Sequence, residues 1–238
     1  MHKFHVSIIT WTSPLAPLSL SFYNGLAMLY DKDIREPLFD YLEEYYGKIR
    51  ILEEKRTGRS RADIVMVLPE MLCGIEIKSD ADSYTRLSTQ IRDYDRYFDM
   101  NIIAVGSSHA AHVEEHVPEY WGIITIDEVD GHPDFYYLRN PKRNPSMKPL
   151  RKIEILWRPE LAHIQELNAL PKYAQKSKAF VQEVIVERVD PTLLNIQISD
   201  ELFERDYTTI AQQIKTYRQQ RSKKKVRARS KRRLVRRR

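Results

Sequence analysis

The sequence predicts an α/β protein with a mixed central β-sheet, followed by a small helical module and a disordered basic tail. Hydrophobic residues make up 42% of the 238 residues, which is enough for a large core. Periodic segments follow the order helix, three strands, helix, strand, short helix, strand. The charge is uneven, because residues 218–238 contain 13 Lys and Arg and neither Asp nor Glu, which leaves 26 basic and 33 acidic residues before them.

The first helix is predicted to begin at Asp33 and to end at Gly47. Asp33 followed by Glu36 fits a capping box, and Gly47 is a typical residue just past a helix end. Between them, apolar residues recur at helical spacing, namely Ile34, Leu38, Leu42 and Tyr45.

The remaining elements follow from the same periodicities. Strands are expected at about 49–53, 63–68 and 72–78, and a long helix at about 83–98 with Leu87, Ile91, Tyr94 and Phe98 along one side. A buried strand at 101–106, a short helix at 109–116 and a strand at 121–126 complete the core, which spans residues 30–140.

Charged residues interrupt the second and third strands where a buried strand would carry apolar ones. A turn centred on Pro69-Glu70 pairs residues whose numbers sum to 139, which places Asp63 opposite Glu76. Lys78 then points to the same face. Facing carboxylates are unfavourable without a cation between them, and hard oxygen ligands suit Mg²⁺ or Mn²⁺. A register shifted by one residue would split the cluster, and the charges would then form an ordinary exposed strand face.

These residues resemble the PD-(D/E)XK nuclease superfamily, in which an Asp precedes a Glu-x-Lys strand. Here Asp63 is followed, after twelve residues, by Glu76-Ile77-Lys78, although Ala62 stands where the superfamily's name has Pro. Gln90 and Tyr94 are similar to the Gln-x-x-x-Tyr signature of the lambda-exonuclease and RecB-like branch. The stretch "EIKSDADSYTRLSTQIRDYDRYFD" is particularly like a small bacterial and phage group of that superfamily, and the likeness covers roughly residues 30–126.

The resemblance implies a restriction-endonuclease-like αβββαβ core and a metal-dependent nuclease, with no small-molecule cofactor. Asp63 and Glu76 would hold one or two Mg²⁺ (or Mn²⁺) ions, and Lys78 would orient a water or stabilise developing charge. Gln90 would steady the metal's water shell or the DNA end, with Tyr94 behind it. Tyr94 also lies on the apolar stripe, so a purely structural role is an alternative.

Glu36 is a further candidate metal ligand, because members of this superfamily often place a Glu on the first helix. The capping-box position explains Glu36 equally well without any catalysis. Asp40 and Glu43 share its helix face and are alternative ligands, unless the whole face is solvated.

The segments outside the core are assigned by composition. Residues 150–217 are expected to form a helical module, either a SAP-like DNA-binding unit or a structural cap on the core. The tail at 218–238 is expected to bind nucleic acid by charge, with a merely solubilising role as the alternative. The candidate nucleic-acid contacts are Arg86, Lys223, Lys224, Lys225, Arg227, Arg229, Lys231, Arg232 and Arg233.

Residues 1–29 form an N-terminal extension of uncertain role. Pro14 and Pro17 interrupt its uncharged stretch, which argues against a membrane helix, and its single early Lys makes a poor signal peptide. A third alternative is a natural start at Met28. The single cysteine, Cys73, excludes an internal disulfide and fits a cytoplasmic protein, nucleoid-associated if bacterial.

Together these observations predict a metal-dependent nuclease whose partner is nucleic acid, DNA in the first place, in repair, recombination or defence. One alternative is a non-catalytic protein of the same fold that binds DNA or RNA. A second is an RNA-binding or ribosome-associated protein that works through its tail. Strand preference, polarity and oligomeric state have no signal in the sequence.

Overall fold

A six-stranded mixed sheet with helices on both faces forms the centre of the protein, whose computed structural model describes residues 31–206. The strands lie side by side in chain order and are β1 Arg50–Thr57, β2 Ser60–Val67, β3 Leu72–Lys78, β4 Met100–Gly106, β5 Gly122–Val129 and β6 His132–Arg139. The helices are α1 Asp31–Tyr46, α2 Leu87–Tyr97, α3 Ser107–Ala110, α4 Pro149–Lys152, α5 Arg158–Leu167, α6 Lys178–Arg188 and α7 Pro191–Phe203. Strands β3, β4 and β5 are parallel, and the other neighbours are antiparallel. The predicted mixed α/β class and its αβββαβ order are confirmed.

Helix α1 covers one face of the sheet. Its apolar stripe, Ile34, Leu38 and Leu42, is buried against the sheet residues of that face, such as Ile75 and Ile102. The helix ends where the sequence predicted, at Gly47, whose backbone has a φ of +74° and whose N–H donates 2.9 Å to the Glu43 carbonyl.

The predicted start of α1 is wrong by two residues. The helix begins at Asp31, so Asp33 and Glu36 lie within it and do not form an N-terminal capping box. Helix ends are hard to place from sequence because several residues near an N-terminus have the side chains that capping favours.

The turn between β2 and β3 sets the register on which the candidate site depends. Ile64 pairs with Ile75 and Val67 with Leu72, so paired residue numbers sum to 139 as predicted. The register follows from the two-residue turn at Pro69-Glu70, across which Leu68 and Met71 exchange backbone hydrogen bonds of 2.9 and 3.4 Å.

Within the predicted core region, the sheet has one more strand than expected, β6. Asp130 and Gly131, with φ of +53° and +80°, turn the chain directly from β5 into β6. Asp-Gly is a strong sign of a two-residue hairpin, and it stands in the sequence where the prediction placed no strand. The short helix expected at 109–116 is instead helix α3 followed by a 3₁₀ turn at Val113–Glu115.

The helices that follow the sheet pack on the face opposite α1, together with α2. One continuous buried cluster joins Val65 and Phe98 of the core to Leu161, Ile185 and Ile198 of α5, α6 and α7, which lie in the predicted helical module. These helices therefore share the core of the sheet. Among the described residues, no helix is both long and apolar enough to cross a membrane. The predicted extension at 1–29 and the basic tail lie outside the described residues.

Candidate active site

The candidate site lies where β2 begins and β3 ends, on the face covered by α2. Regular pairing of the two strands stops at Ile64 and Ile75. Beyond that pair, an Asp63 side-chain oxygen, Oδ2, accepts a 3.0 Å hydrogen bond from the Ile77 backbone N–H. The Asp63 carboxylate is thereby held beside the last residues of β3.

Glu76 is the centre of the site, with only 1% of its surface exposed. Its Oε1 atom lies 2.7 Å from Lys78 Nζ and also accepts a hydrogen bond from Gln90 Nε2. Its Oε2 atom accepts a 2.7 Å hydrogen bond from the Tyr94 hydroxyl. A buried carboxylate is stable only when its charge is matched and its oxygens are hydrogen-bonded, and here both conditions are met.

Tyr94 belongs to both the site and the core. Its hydroxyl accepts a 3.2 Å hydrogen bond from the Asp63 backbone N–H, and its ring packs edge-on against Phe98 at 5.4 Å. Gly74 of β3 allows this close approach, since a Cβ atom there would lie 2.2 Å from the Phe98 ring and 2.8 Å from the Tyr94 ring. Burial, and next the charge of Glu76, raise the pKa of Tyr94 well above its usual value, so the hydroxyl keeps its proton.

The pKa of the Asp63 carboxyl is also raised. Burial, and next the nearby Glu76 charge, raise its pKa from 3.8 to about 7, against the opposing effects of the Ile77 N–H, Arg35 and Lys78. Because of its burial and the repulsion by Glu76, the Asp63 carboxyl is therefore only partly ionised near neutral pH. A bound cation would relieve this repulsion.

Arg35 of α1 is a site residue that the sequence analysis missed. Its guanidinium lies 3.9 Å from Asp63 Oδ1 and donates to the Asp63 carbonyl at 3.3 Å. It also pairs with Glu53 at 3.3 Å and with Glu54 at 3.0 Å, where Glu54 has a φ of +55°. The available signal was its place beside Glu36, on the helix where the resemblance implies a site residue.

The other predicted residues lie apart from this network. Glu36 is exposed on α1, as are Asp40 and Glu43, and its role as a metal ligand stays a prediction. Arg86 is exposed in the 3₁₀ turn just before α2. The predicted contacts Lys223 to Arg233 lie outside the described residues.

The oxygen atoms of the site fit a hard divalent cation that completes its coordination with water and phosphate. Within residues 31–206, no group of three or more His, Cys, Asp and Glu side chains is placed to hold a metal, and the site offers two carboxylates. Gln90 Oε1 adds a buried oxygen that has no hydrogen-bond partner among the described residues. Mg²⁺ commonly uses one or two carboxylates, several waters and substrate phosphates, which agrees with this set.

Comparison with known proteins gives one family and one solved structure. The family model described as "Bacteriophage P4 protein cII" matches residues 28–231. No curated protein matches the chain. The structure of Pyrococcus furiosus SfsA in complex with Ca²⁺ is similar with a TM-score of 0.27 and 13% identity, over 47% of this chain and 60% of that one.

Proposed function

The chain belongs to the bacteriophage P4 protein cII family, and we propose that it is a metal-dependent nuclease that hydrolyses phosphodiester bonds, in DNA above all. The observation that carries the proposal is the hydrogen-bonded network around Glu76, built from Lys78, Gln90 and Tyr94, with Asp63 beside it. Its residues and its αβββαβ framework are those expected from the resemblance to PD-(D/E)XK nucleases. Repair, recombination and defence are the processes in which we place such an activity.

Asp63 and Glu76 would hold Mg²⁺ or Mn²⁺, with Gln90 Oε1 available as a further oxygen or as an acceptor for bound water. When bound, the cation supplies positive charge for the scissile phosphate and makes a water molecule more acidic. Asp63 must then be ionised, and the raised pKa of its carboxyl means that metal and proton compete for it near neutral pH.

Lys78 is the side chain that we expect to contact the attacking water or the scissile phosphate. Lys78 is 5% exposed and its ammonium group is held by Glu76, so it is a fixed positive charge in a largely buried site. Such a charge orients an attacking water and stabilises negative charge that develops on a phosphate oxygen. Gln90 and Tyr94 act as positioning residues, because their contacts fix the orientation of the Glu76 carboxylate.

A non-catalytic nucleic-acid-binding protein is the second candidate. The observation that favours it is that both carboxylates already have partners within the chain, since Arg35 faces Asp63 and Lys78 faces Glu76. A site of this kind could persist as a structural charge cluster that never holds a cation.

A cleavage assay separates the two candidates. Wild type, Asp63→Asn and Lys78→Met would be incubated with single-stranded DNA, double-stranded DNA and RNA in Mg²⁺ or Mn²⁺. The nuclease proposal expects cutting that falls at least ~100-fold in both variants, a typical loss for such groups. Glu183→Gln, an exposed carboxylate on α6 outside the candidate site, is the matched control and should cut normally. Binding of nucleic acid by wild type without any cutting would favour the second candidate.

Metal binding can be tested without relying on activity. Titration calorimetry with Mn²⁺ should detect an ion bound by wild type but not by Asp63→Asn or Glu76→Gln, while Glu36→Gln reports whether that exposed residue takes part. Circular dichroism checks that each variant is folded. Unchanged Mn²⁺ binding in both Asp63→Asn and Glu76→Gln would exclude the assigned ligands.

A further inference from the structure

A cavity of about 280 Å³ lies against α2, on the side away from the sheet core, and four arginines line it. We call it the arginine pocket. Its guanidinium groups come from three separate elements, the β1–β2 turn, α2 and α4, and belong to Arg59, Arg92, Arg96 and Arg151. Thr89 and Asp93 of α2 complete its polar lining.

The fold holds the β1–β2 turn firmly at this place. Asp93 Oδ2 accepts hydrogen bonds from the Arg59 N–H at 3.0 Å, the Ser60 N–H at 2.9 Å and the Ser60 hydroxyl at 2.8 Å. Gly58, with a φ of +61°, lies so close that a Cβ atom would be 2.8 Å from Asp93 Oδ1. The turn that carries Arg59 is therefore fixed in position. Among the described residues, the hydrogen bonds of Asp93 Oδ2 are all made with this turn.

The pocket has more positive charge than its own surroundings neutralise. Arg151 pairs with Glu154 at 2.6 Å, and Arg92 donates to Thr89 Oγ1 at 3.2 Å. Within residues 31–206, the structure records no side-chain hydrogen bond or ion pair for Arg59 or Arg96. Four arginines against one lining carboxylate is an arrangement that suits an anion, and arginine is well matched to phosphate.

Helix α2 connects this pocket to the candidate active site. Gln90 and Tyr94 contact Glu76 from one side of α2, while Arg92 and Arg96 stand exposed on the other. Arg92 and Arg96 are one turn apart, or about 6 Å along the helix axis. Arginines one turn apart on the same exposed side of α2 can face the same nucleic-acid strand.

We infer that the arginine pocket binds backbone phosphates of the nucleic acid whose bond lies at the Glu76 site. This inference rests on the proposed function and adds the surface that positions the substrate. Phosphate contacts of this kind fix the register of a nucleic acid without reading its sequence. The residues of the pocket lie between positions 58 and 151 of the sequence, before the basic tail, so the chain would have two phosphate-binding regions.

The test is the salt dependence of binding to a 30-base-pair DNA duplex in EDTA, measured with the full chain. Each phosphate contact contributes about 0.9 to the slope of log affinity against log salt. The triple variant Arg59→Gln/Arg92→Gln/Arg96→Gln should therefore have a slope smaller by about 2.7. Between 50 and 200 mM salt, wild type should lose about 40-fold more affinity than this variant, a direct consequence of that slope.

Two control proteins make the result specific. The first control removes three positive charges from exposed positions outside the pocket, in the variant Lys142→Gln/Lys172→Gln/Arg188→Gln. Its salt slope should differ from that of wild type by no more than about 0.9, the value of one phosphate contact. The triple Arg→Lys variant of the pocket keeps the charge and should restore most of the slope. Equal slopes in the two Gln variants would overturn the inference.

A free-phosphate site is distinguished by titrating inorganic phosphate into wild type by calorimetry. Submillimolar binding that disappears in the pocket variant would reassign the pocket to a small anion and overturn the inference. Cutting of the duplex by wild type in Mg²⁺ is measured separately. A salt slope that depends on the pocket, without any cutting, would support the phosphate-binding pocket and reject the nuclease proposal. Cutting by wild type, with the same salt slope in wild type and in the pocket variant, would support the nuclease and reject the pocket.

Discussion

The Tyr94 hydroxyl donates a 2.7 Å hydrogen bond to Glu76 Oε2 and accepts one of 3.2 Å from the Asp63 backbone N–H. Asp63 lies near the start of β2, and Glu76 lies near the end of β3. One side chain of α2 thus fixes these two strand ends relative to each other. The spacing of the two carboxylates depends on this hydroxyl as well as on the strand register.

Tyr94→Phe is expected to destabilise the fold by about 1–3 kcal/mol, because it leaves a buried Glu76 oxygen and the Asp63 N–H each without a partner. Urea denaturation measures the change in the free energy of unfolding. Tyr45→Phe is the control, since its hydroxyl makes only an exposed contact with Asn140, and it should cost less than ~0.5 kcal/mol. Equal costs for the two variants would mean that the Tyr94 hydroxyl does not support the site.

The stability of the metal-free protein should depend on Asp63 between about pH 4 and 7. The pKa of Asp63 is raised from 3.8 to about 7 in the fold, so the folded protein holds a proton there that the unfolded chain has released. The free energy of unfolding therefore falls as pH rises, because only the unfolded chain releases the proton. The contribution of Asp63 to this free energy falls by at most about 1.4 kcal/mol per pH unit across this window. Below pH 4 both states are protonated and the contribution is constant.

Urea denaturation of wild type and Asp63→Asn in EDTA tests this sign. The free energy of unfolding of wild type should fall relative to that of Asp63→Asn as pH rises from 4 to 7, and the difference should level off above. A difference that grows in favour of wild type over this range would mean that Asp63 is stabilised as a charged group, with Arg35 outweighing the effects of burial and Glu76.

Local patterns were sufficient to predict the core order and the β2–β3 register. Period-2 alternation with apolar Ile75 and Ile77 on one face left Glu76 and Lys78 on the other, and Pro69-Glu70 marked the turn. Gln90 and Tyr94 then lie beside Glu76 because a helix brings residues four apart to the same side. Each of these inferences uses residues that are close in the chain.

Arg35 and the arginine pocket could not be predicted in the same way. Arg35 contacts Asp63 across 28 residues of sequence, and Arg59 lies in the same pocket as Arg96 because Asp93 anchors a turn 34 residues earlier in the chain. Such contacts depend on how elements pack, which a period or a spacing does not encode. Strand β6 is different, since its Asp130-Gly131 turn was visible in the sequence.

The buried ion pair between Lys152 and Asp99 should be essential for attaching the C-terminal helices to the sheet. Each side chain is 1% exposed, the charged atoms are 2.6 Å apart, and Asp99 also accepts the Leu72 N–H at 2.7 Å. Lys152 further donates to Asn195 of α7 at 2.6 Å. Lys152→Met should cost about 3–5 kcal/mol, because it leaves a buried carboxylate without its counter-charge.

The control for this prediction is Lys148→Met, an exposed residue just before α4, which should change the free energy of unfolding by less than ~0.5 kcal/mol. The double variant Lys152→Met/Asp99→Asn removes both charges and should recover part of the loss, since the penalty arises from the unmatched carboxylate. If the double variant is as unstable as the sum of the two single variants, the ion pair has no coupling energy, and the attachment of these helices depends on apolar packing alone.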